Sequence, residues 1–328
     1  MAVDHSSGAN QNNLYVGFVN YTNSFAGLQV RTKKPANSFF NNPVIAASGS
    51  YQLSNLAVDN NGVLHYSFAR VDGTDGIYHV SSTNGGQSFS APTLISSCQN
   101  AFPSNHPIND RVNAAPSLAI DGQNNLQVSW TEYPTNQRAE AFHSFSTDGG
   151  STWSTPYNLS NELNLGTFFA NVAADGNKVS VSTYGIDSMK QADYYLFVSQ
   201  NNGATFGSPI KLSSQQSNLA SFAVTDFAGD YTSSTRSSCR TFSVWSDFRA
   251  AGQPKLYLSS YSDCAPLGYQ EVTTINSNFQ LKNIYPIPAT NNLILDVESK
   301  NEQKVSIDIY TLDGKQFLHF EENLMARQ

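Results

Sequence analysis

Charged and phenolic side chains gather in the segments that join strand-like runs. Arg70, Asp72 and Asp75 stand in one; Glu132, Tyr133, Arg138 and Glu140 in a second; Asp187 in a third; Asp247 and Arg249 in a fourth. His106, Asp110, Arg111, Asp230 and Tyr231 lie in stretches between repeats. A guanidinium is a planar fork that grips a carboxylate bidentately, while carboxylates and phenols serve proton transfer or nucleophilic attack. Such chemistry needs these groups to converge; apart, they are ordinary solvated loop charges.

Metal and cofactor chemistry have weaker support. Asp72-Gly-Thr-Asp75-Gly lacks the ligand count of a calcium loop and reads as a tight turn. No cysteine or histidine spacing suggests zinc, and no phosphate-cradling glycine pattern or G-x-S-x-G elbow occurs. No metal or cofactor is expected. Cys239 and Cys264 flank two strand-like runs, so a hairpin brings them together as a disulfide, leaving Cys98 over.

The elements that position these residues are strands. Only 13% of the 328 residues are charged, 12% are aromatic, and the net charge is −7. The aromatics suit half-buried strands, and the acidic balance argues against nucleic acid as a partner. No apolar run approaches the roughly 20 residues of a membrane span. The start, MAVDHSSGANQ, has no basic or apolar segment, so any export signal is expected to have been removed or to lie upstream.

One pattern recurs at intervals of roughly fifty to sixty residues. A small-apolar run ends in Asp4, Asp59, Asp121, Asp175 or Asp226, followed by a turn and an alternating strand. Leu64, Tyr66 and Phe68 share one strand face, as do Leu126, Val128 and Trp130. The expected fold is an all-β propeller with five recognisable blades of four antiparallel strands.

Three units carry a tighter signature. Ser82, Asn84, Gly86 and Phe89 keep the spacing of Ser146, Asp148, Gly150 and Trp153, and of Ser199, Asn201, Gly203 and Phe206. A decayed copy is expected at Thr32 to Phe39. This signature resembles the Asp-box, S-x-D-x-G-x-T-W, of the sialidase-like propellers. Phe242-Ser-Val-Trp245-Ser-Asp247-Phe-Arg249 likewise resembles a W-x-D-x-R segment of bacterial members.

The resemblance implies six blades, with the boxes acting as fold staples on the face opposite the pocket. It also implies an arginine triad for a substrate carboxylate, here Arg70, Arg111 and Arg249. Tyr231 or Tyr133 would be the nucleophile, Glu132 its helper and Asp247 the acid/base. The F-R-I-P motif of the first family arginine is absent. Two readings follow: a non-catalytic propeller that binds a glycan or an extracellular protein, and an exo-acting sialidase.

The repeat pattern is expected to occupy residues 1–270, with a linker at 271–282. Asn283-Ile-Tyr285-Pro286-Ile-Pro288-Ala-Thr-Asn-Asn-Leu293 and Val305–Lys315 then resemble bacterial type IX secretion sorting domains. That resemblance implies a small sandwich-like sorting segment at 283–328, truncated at its end, a secreted or cell-surface protein, and the type IX machinery as a partner.

Overall fold

The structure is a computed structural model. It describes residues 1–22, 27–49, 51–71, 75–98, 115–134, 138–219, 232–249, 255–264, 279–285, 294–310 and 316–325. Internal contacts divide the chain into two units, Met1–Asp263 and Cys264–Gln328.

The first unit is a succession of antiparallel sheets. Sheet one runs β1 (Ala2–Val3), β2 (Leu14–Asn20), β3 (Gly27–Lys33), β4 (Val44–Ser48). Sheet two follows as β5 (Tyr51–Val58), β6 (Leu64–Arg70), β7 (Gly76–Ser82), β8 (Thr93–Ser97). Sheet three comprises β9 (Ser117–Ile120), β10 (Leu126–Glu132), β11 (Glu140–Ser146) and β12 (Tyr157–Asn158). A single-turn helix, α1 (Ser160–Leu163), leads to sheet four: β13 (Gly166–Asp175), β14 (Lys178–Ile186), β15 (Gln191–Ser199) and β16 (Ile210–Lys211).

Two departures from uniform four-stranded blades appear. A short β17 (Ser217–Asn218) also pairs with β15, giving sheet four a fifth strand. Sheet five has three strands among the described residues: β18 (Ser233–Ser237), β19 (Arg240–Asp247) and β20 (Lys255–Ser262).

Successive sheets meet along their first strands: β5 lies against β9, β9 against β13 and β13 against β18. This radial stacking of antiparallel sheets is the β-propeller arrangement. Its core is divided into layers between sheets. Ala69, Ile77 and Ile95 of sheet two pack on Leu126, Val128 and Trp130 of sheet three. Phe168, Tyr184 and Tyr194 of sheet four pack on Trp245 and Phe248 of the segment around β19. Each fully buried side chain of this size contributes about 1.5–3 kcal/mol.

Because each inner sheet is sandwiched between two others, the alternation read from sequence is only half the pattern. His65 and Ser67, the polar face of β6, are as buried as Tyr66 and Phe68; Gln127 and Ser129 of β10 are likewise buried.

Register corrects one expectation. Leu64 pairs with Ser82, Leu126 with Ser146 and Val179 with Ser199, whereas in sheet one Leu14 pairs with Lys33. Lys33, not Thr32, therefore holds the place of the box serine. None of residues 34–39 adopts a positive φ, and Phe39 is 83% exposed, so the decayed copy is not a box turn. Asp226 lies outside the described residues. In chain order it precedes β18, whereas Asp4, Asp59, Asp121 and Asp175 stand at the end of a sheet's first strand or just beyond it.

The second unit contains two antiparallel hairpins, β21 (Phe279–Tyr285) with β22 (Ile294–Ser299), and β23 (Gln303–Tyr310) with β24 (Gln316–Leu324). Phe279, Gln280 and Leu281, within the stretch read from sequence as linker, are ladder residues of β21 paired with Ser299, Glu298 and Val297, and the register shifts between Leu281 and Asn283. Pro286, Pro288 and the Asp313-Gly314 turn lie outside the described residues.

Candidate functional site

Three turns joining third to fourth strands are built alike. The Ser82 hydroxyl donates to Asn84 Oδ1 at 2.9 Å and accepts the Gly86 N–H at 2.9 Å. Ser146 does the same with Asp148 and Gly150 at 2.8 and 2.9 Å, and Ser199 with Asn201 and Gly203 at 2.8 and 3.0 Å. The Asn84, Asp148 and Asn201 Oδ1 atoms each then accept the backbone N–H four residues on. Gly86, Gly150 and Gly203 have φ of +80°, +91° and +81°, a region glycine enters without strain.

The acid and amide versions differ at one bond. Asp148 Oδ2 accepts the Thr152 hydroxyl at 2.6 Å, whereas the Nδ2 groups of Asn84 and Asn201 donate to Ser88 and Thr205. The Thr152 hydroxyl and N–H are the main reasons the Asp148 carboxyl is held down at about 2.

Each turn sits on the sheet before it. Gly86 lies against Thr32, Gly150 against the His79 ring and Gly203 against His143 and Gln127. Trp153 and Phe206 meet those two rings edge-on, at 5.7 and 5.0 Å between centroids. His79 Nε2 is 3.0 Å from His65 Nδ1, and His65 Nε2 is 3.7 Å from Asp59. In sheet three the corresponding chain is His143 Nε2 to Gln127 Oε1 at 3.0 Å and Gln127 Nε2 to Asp121 at 3.1 Å. Burial pushes His79 and His143 down to about 3, with His65 adding to the effect on His79.

The aspartates that mark the repeat serve a second staple. Asp59 Oδ1 accepts the N–H groups of Asn61 and Val63, and Asp121 Oδ1 those of Gln123 and Asn125. Asp187, expected on the pocket side, folds the same loop through Met189 and Gln191. The third residue on is left-handed in all three: Gly62, Asn124 and Lys190. Asp187 is thus a turn former.

The expected pocket residues are placed at the opposite strand ends from the box turns. Arg70, Glu132 and Asp247 are the last residues of the second strands β6, β10 and β19. Arg111, Tyr231, His106, Asp110, Asp230 and Asp72 lie outside the described residues. Arg70 lies over the Tyr78 ring at 5.8 Å. Glu132 hydrogen-bonds the buried Cys98 thiol, whose pKa is raised by burial first and then by the Glu132 and Asp75 carboxylates. Burial raises the Tyr133 phenol.

Asp247 and Arg249 are committed to each other. Arg249 Nε and Nη2 each donate to one Asp247 oxygen at 2.7 Å, Trp245 Nε1 adds a bond at 3.1 Å, and the Arg249 N–H another at 3.0 Å. The guanidinium also bonds Ser214 at 2.9 Å and lies 4.1 Å over the Tyr257 ring. Burial works against the Asp247 charge, but the Arg249 and Trp245 bonds prevail and hold its pKa below the usual value. A carboxylate 1% exposed and bonded in this way suits an anchor and not a proton donor. Arg138 is similarly paired with Glu140, at 3.0 Å.

A cavity of about 60 Å³ lies where first strands converge, lined by Ser54, Asn55, Ser117, Phe169, Asn171 and Thr232 among others. Its polar lining is hydroxyls and amides. Leu53 and Phe169, at φ of +49° and +57°, mark bulges in β5 and β13 that turn this lining inward.

Several polar residues were missed by sequence reasoning. Arg236 is buried; its Nη2 donates to both Asp263 oxygens and its Nη1 to the Ser180 and Thr241 hydroxyls. Asp193 gathers Lys211, Ser213 and Gln216. The histidines under the boxes carried no local signal. Cys239 and Cys264 are disulfide-bonded, and Cys98 is free and buried.

No protein-family model and no curated protein matches the sequence. Among solved structures, the chain is similar to the Hadza microbial sialidase Hz136, at 14% identity and TM-score 0.43, covering 71% of this chain and 52% of that one. It is similar to the GH43 endo-arabinanase from Bacillus licheniformis at 13% identity and TM-score 0.40, covering 80% and 98%. It is also similar to Trypanosoma rangeli sialidase in complex with 2,3-difluorosialic acid, at 11% identity and TM-score 0.47, covering 79% and 45%. The chain thus spans about half the length of either sialidase.

Proposed function

We propose that this chain is a glycan-binding propeller, secreted or held at the cell surface, that does not hydrolyse sialosides. The observation that carries this reading is the bidentate Asp247–Arg249 pair. It engages the guanidinium wanted for a substrate carboxylate and the carboxylate wanted as acid/base. The amide- and hydroxyl-lined cavity among the first strands has the chemistry to hydrogen-bond neutral sugar hydroxyls. The Cys239–Cys264 disulfide fits an oxidising compartment. In this reading the three box turns are Asp-boxes with a structural role, and the C-terminal hairpins engage the type IX secretion machinery.

The test is turnover of a fluorogenic sialoside by the full chain, alongside a glycan array. We expect no turnover, and array binding that an Asn55→Ala variant weakens. Robust turnover that Arg249→Ala abolishes without loss of fold would replace this reading with the hydrolase. A silent array would remove the glycan ligand and leave an extracellular protein as the partner.

A further inference from the structure

We infer that His79 and His143 form acid-sensitive latches between successive sheets, so that acidification loosens the Gly150 and Gly203 turns while sparing the Gly86 turn. The three turns are built alike, but their seats differ chemically. The first rests on Thr32 and the aromatic ring of Tyr15, neither of which gains charge in acid. The second and third rest on imidazoles with 2% and 0% exposure.

The hydrogen bonds assign the ring protons in sheet three. Gln127 Nε2 donates to Asp121 Oδ2 and to the Asn202 carbonyl, which turns Gln127 Oε1 toward His143. His143 therefore donates through Nε2, and its buried Nδ1 has no hydrogen-bond partner among the described residues. Protonation must occur at Nδ1, creating a buried N–H with nothing to accept it and a buried charge with no counter-ion. The Asp121 carboxylate is reached through Gln127; Phe145, Phe206 and Gly203 lie against the ring, and Ser129 and Tyr157, both uncharged in acid, are its cross-strand partners. The strain is relieved when the Gly203 turn lifts and water enters.

In sheet two, His79 faces His65, the Trp153 edge and the Gly150 backbone. A proton gained by His79 buries a charge against the His65 ring, 5.2 Å away between centroids, with Asp59 reaching only the His65 side. The Gly150 turn is held by its carbonyl, which accepts the Thr93 hydroxyl at 2.9 Å. The link it must break is short, so opening is local.

The test is amide hydrogen exchange on the full chain at about pH 7 and about pH 4, corrected for intrinsic rates. Protection of the Gly150 and Gly203 amides should fall by about tenfold or more, with Gly86 changing by less than about twofold. His143→Gln should remove the acid response at Gly203 and leave that at Gly150. If His143→Gln does not fold, the wild-type comparison of the three glycines still decides. A common fall at all three, no fall at any, or a Gly203 response that persists in a folded His143→Gln chain would each overturn the inference.

Discussion

Gly150 is packed so closely on His79 that a Cβ at Gly150 would come within 2.3 Å of the imidazole. The glycine also sits at φ +91°. Gly149 is its control, since it shares the positive φ, at +72°, but a Cβ there would meet nothing within 4 Å. Gly150→Ala should destabilise by about 2–4 kcal/mol, and Gly149→Ala by about 1 kcal/mol, in denaturant melts. Equal costs would show that the turn conformation, and not the seat on His79, makes Gly150 a glycine.

The box carboxylate should tolerate an amide. Asn84 and Asn201 already do the work of Asp148 in their own turns, with the side-chain bond to the hydroxyl reversed. Asp148→Asn should therefore cost less than about 0.5 kcal/mol, and Asp148→Ala about 1–2 kcal/mol, by the same melts. A large cost for the asparagine would mean that the negative charge itself matters.

Stability should fall on acidification in two windows. His79 and His143 are held at about 3 against an ordinary 6.5, so between those values the unfolded chain binds protons that the native chain refuses. Their contribution is full above 6.5 and is lost as pH falls toward 3, by up to about 1.4 kcal/mol per pH unit per ring. Asp148, held at about 2 against 3.8, adds a smaller loss at lower pH. Its exposure to solvent keeps that contribution modest. Chemical denaturation across pH checks the slope; a flat profile from neutrality to about pH 4 would contradict it.

Removing one partner of the Asp247–Arg249 pair should cost more than removing both. Arg249→Ala leaves a carboxylate 1% exposed with only Trp245 and backbone for company, and we expect a loss of about 2–4 kcal/mol. Arg249→Ala combined with Asp247→Asn should recover part of it, measured as a double-mutant cycle in thermal melts. Additive costs would show that the two do not act as a pair.

By itself the sequence determined the repeat and its turns. Every bond that shapes a box lies within a few residues of its serine, as Ser146, Asp148, Gly150 and Thr152 show, so residue type and spacing carry the information. The alternation of Leu64, Tyr66 and Phe68 likewise announces a strand, because backbone geometry alone sets that period. Tertiary structure decided what each staple rests on. The Gly150 carbonyl meets Thr93 across 57 residues and Gln127 meets Asn202 across 75, separations at which spacing says nothing. The same holds for the polar faces: His79 and His143 look like solvated strand residues until a neighbouring sheet covers them. Asp247 and Arg249 are two residues apart, yet the rotamers that lock them together come from Trp245, Ser214 and Tyr257 packing around them. A charge in a loop is a ligand or an anchor according to what surrounds it, and here Ser214 and Tyr257 are brought to the pair from segments other than the strand that carries it.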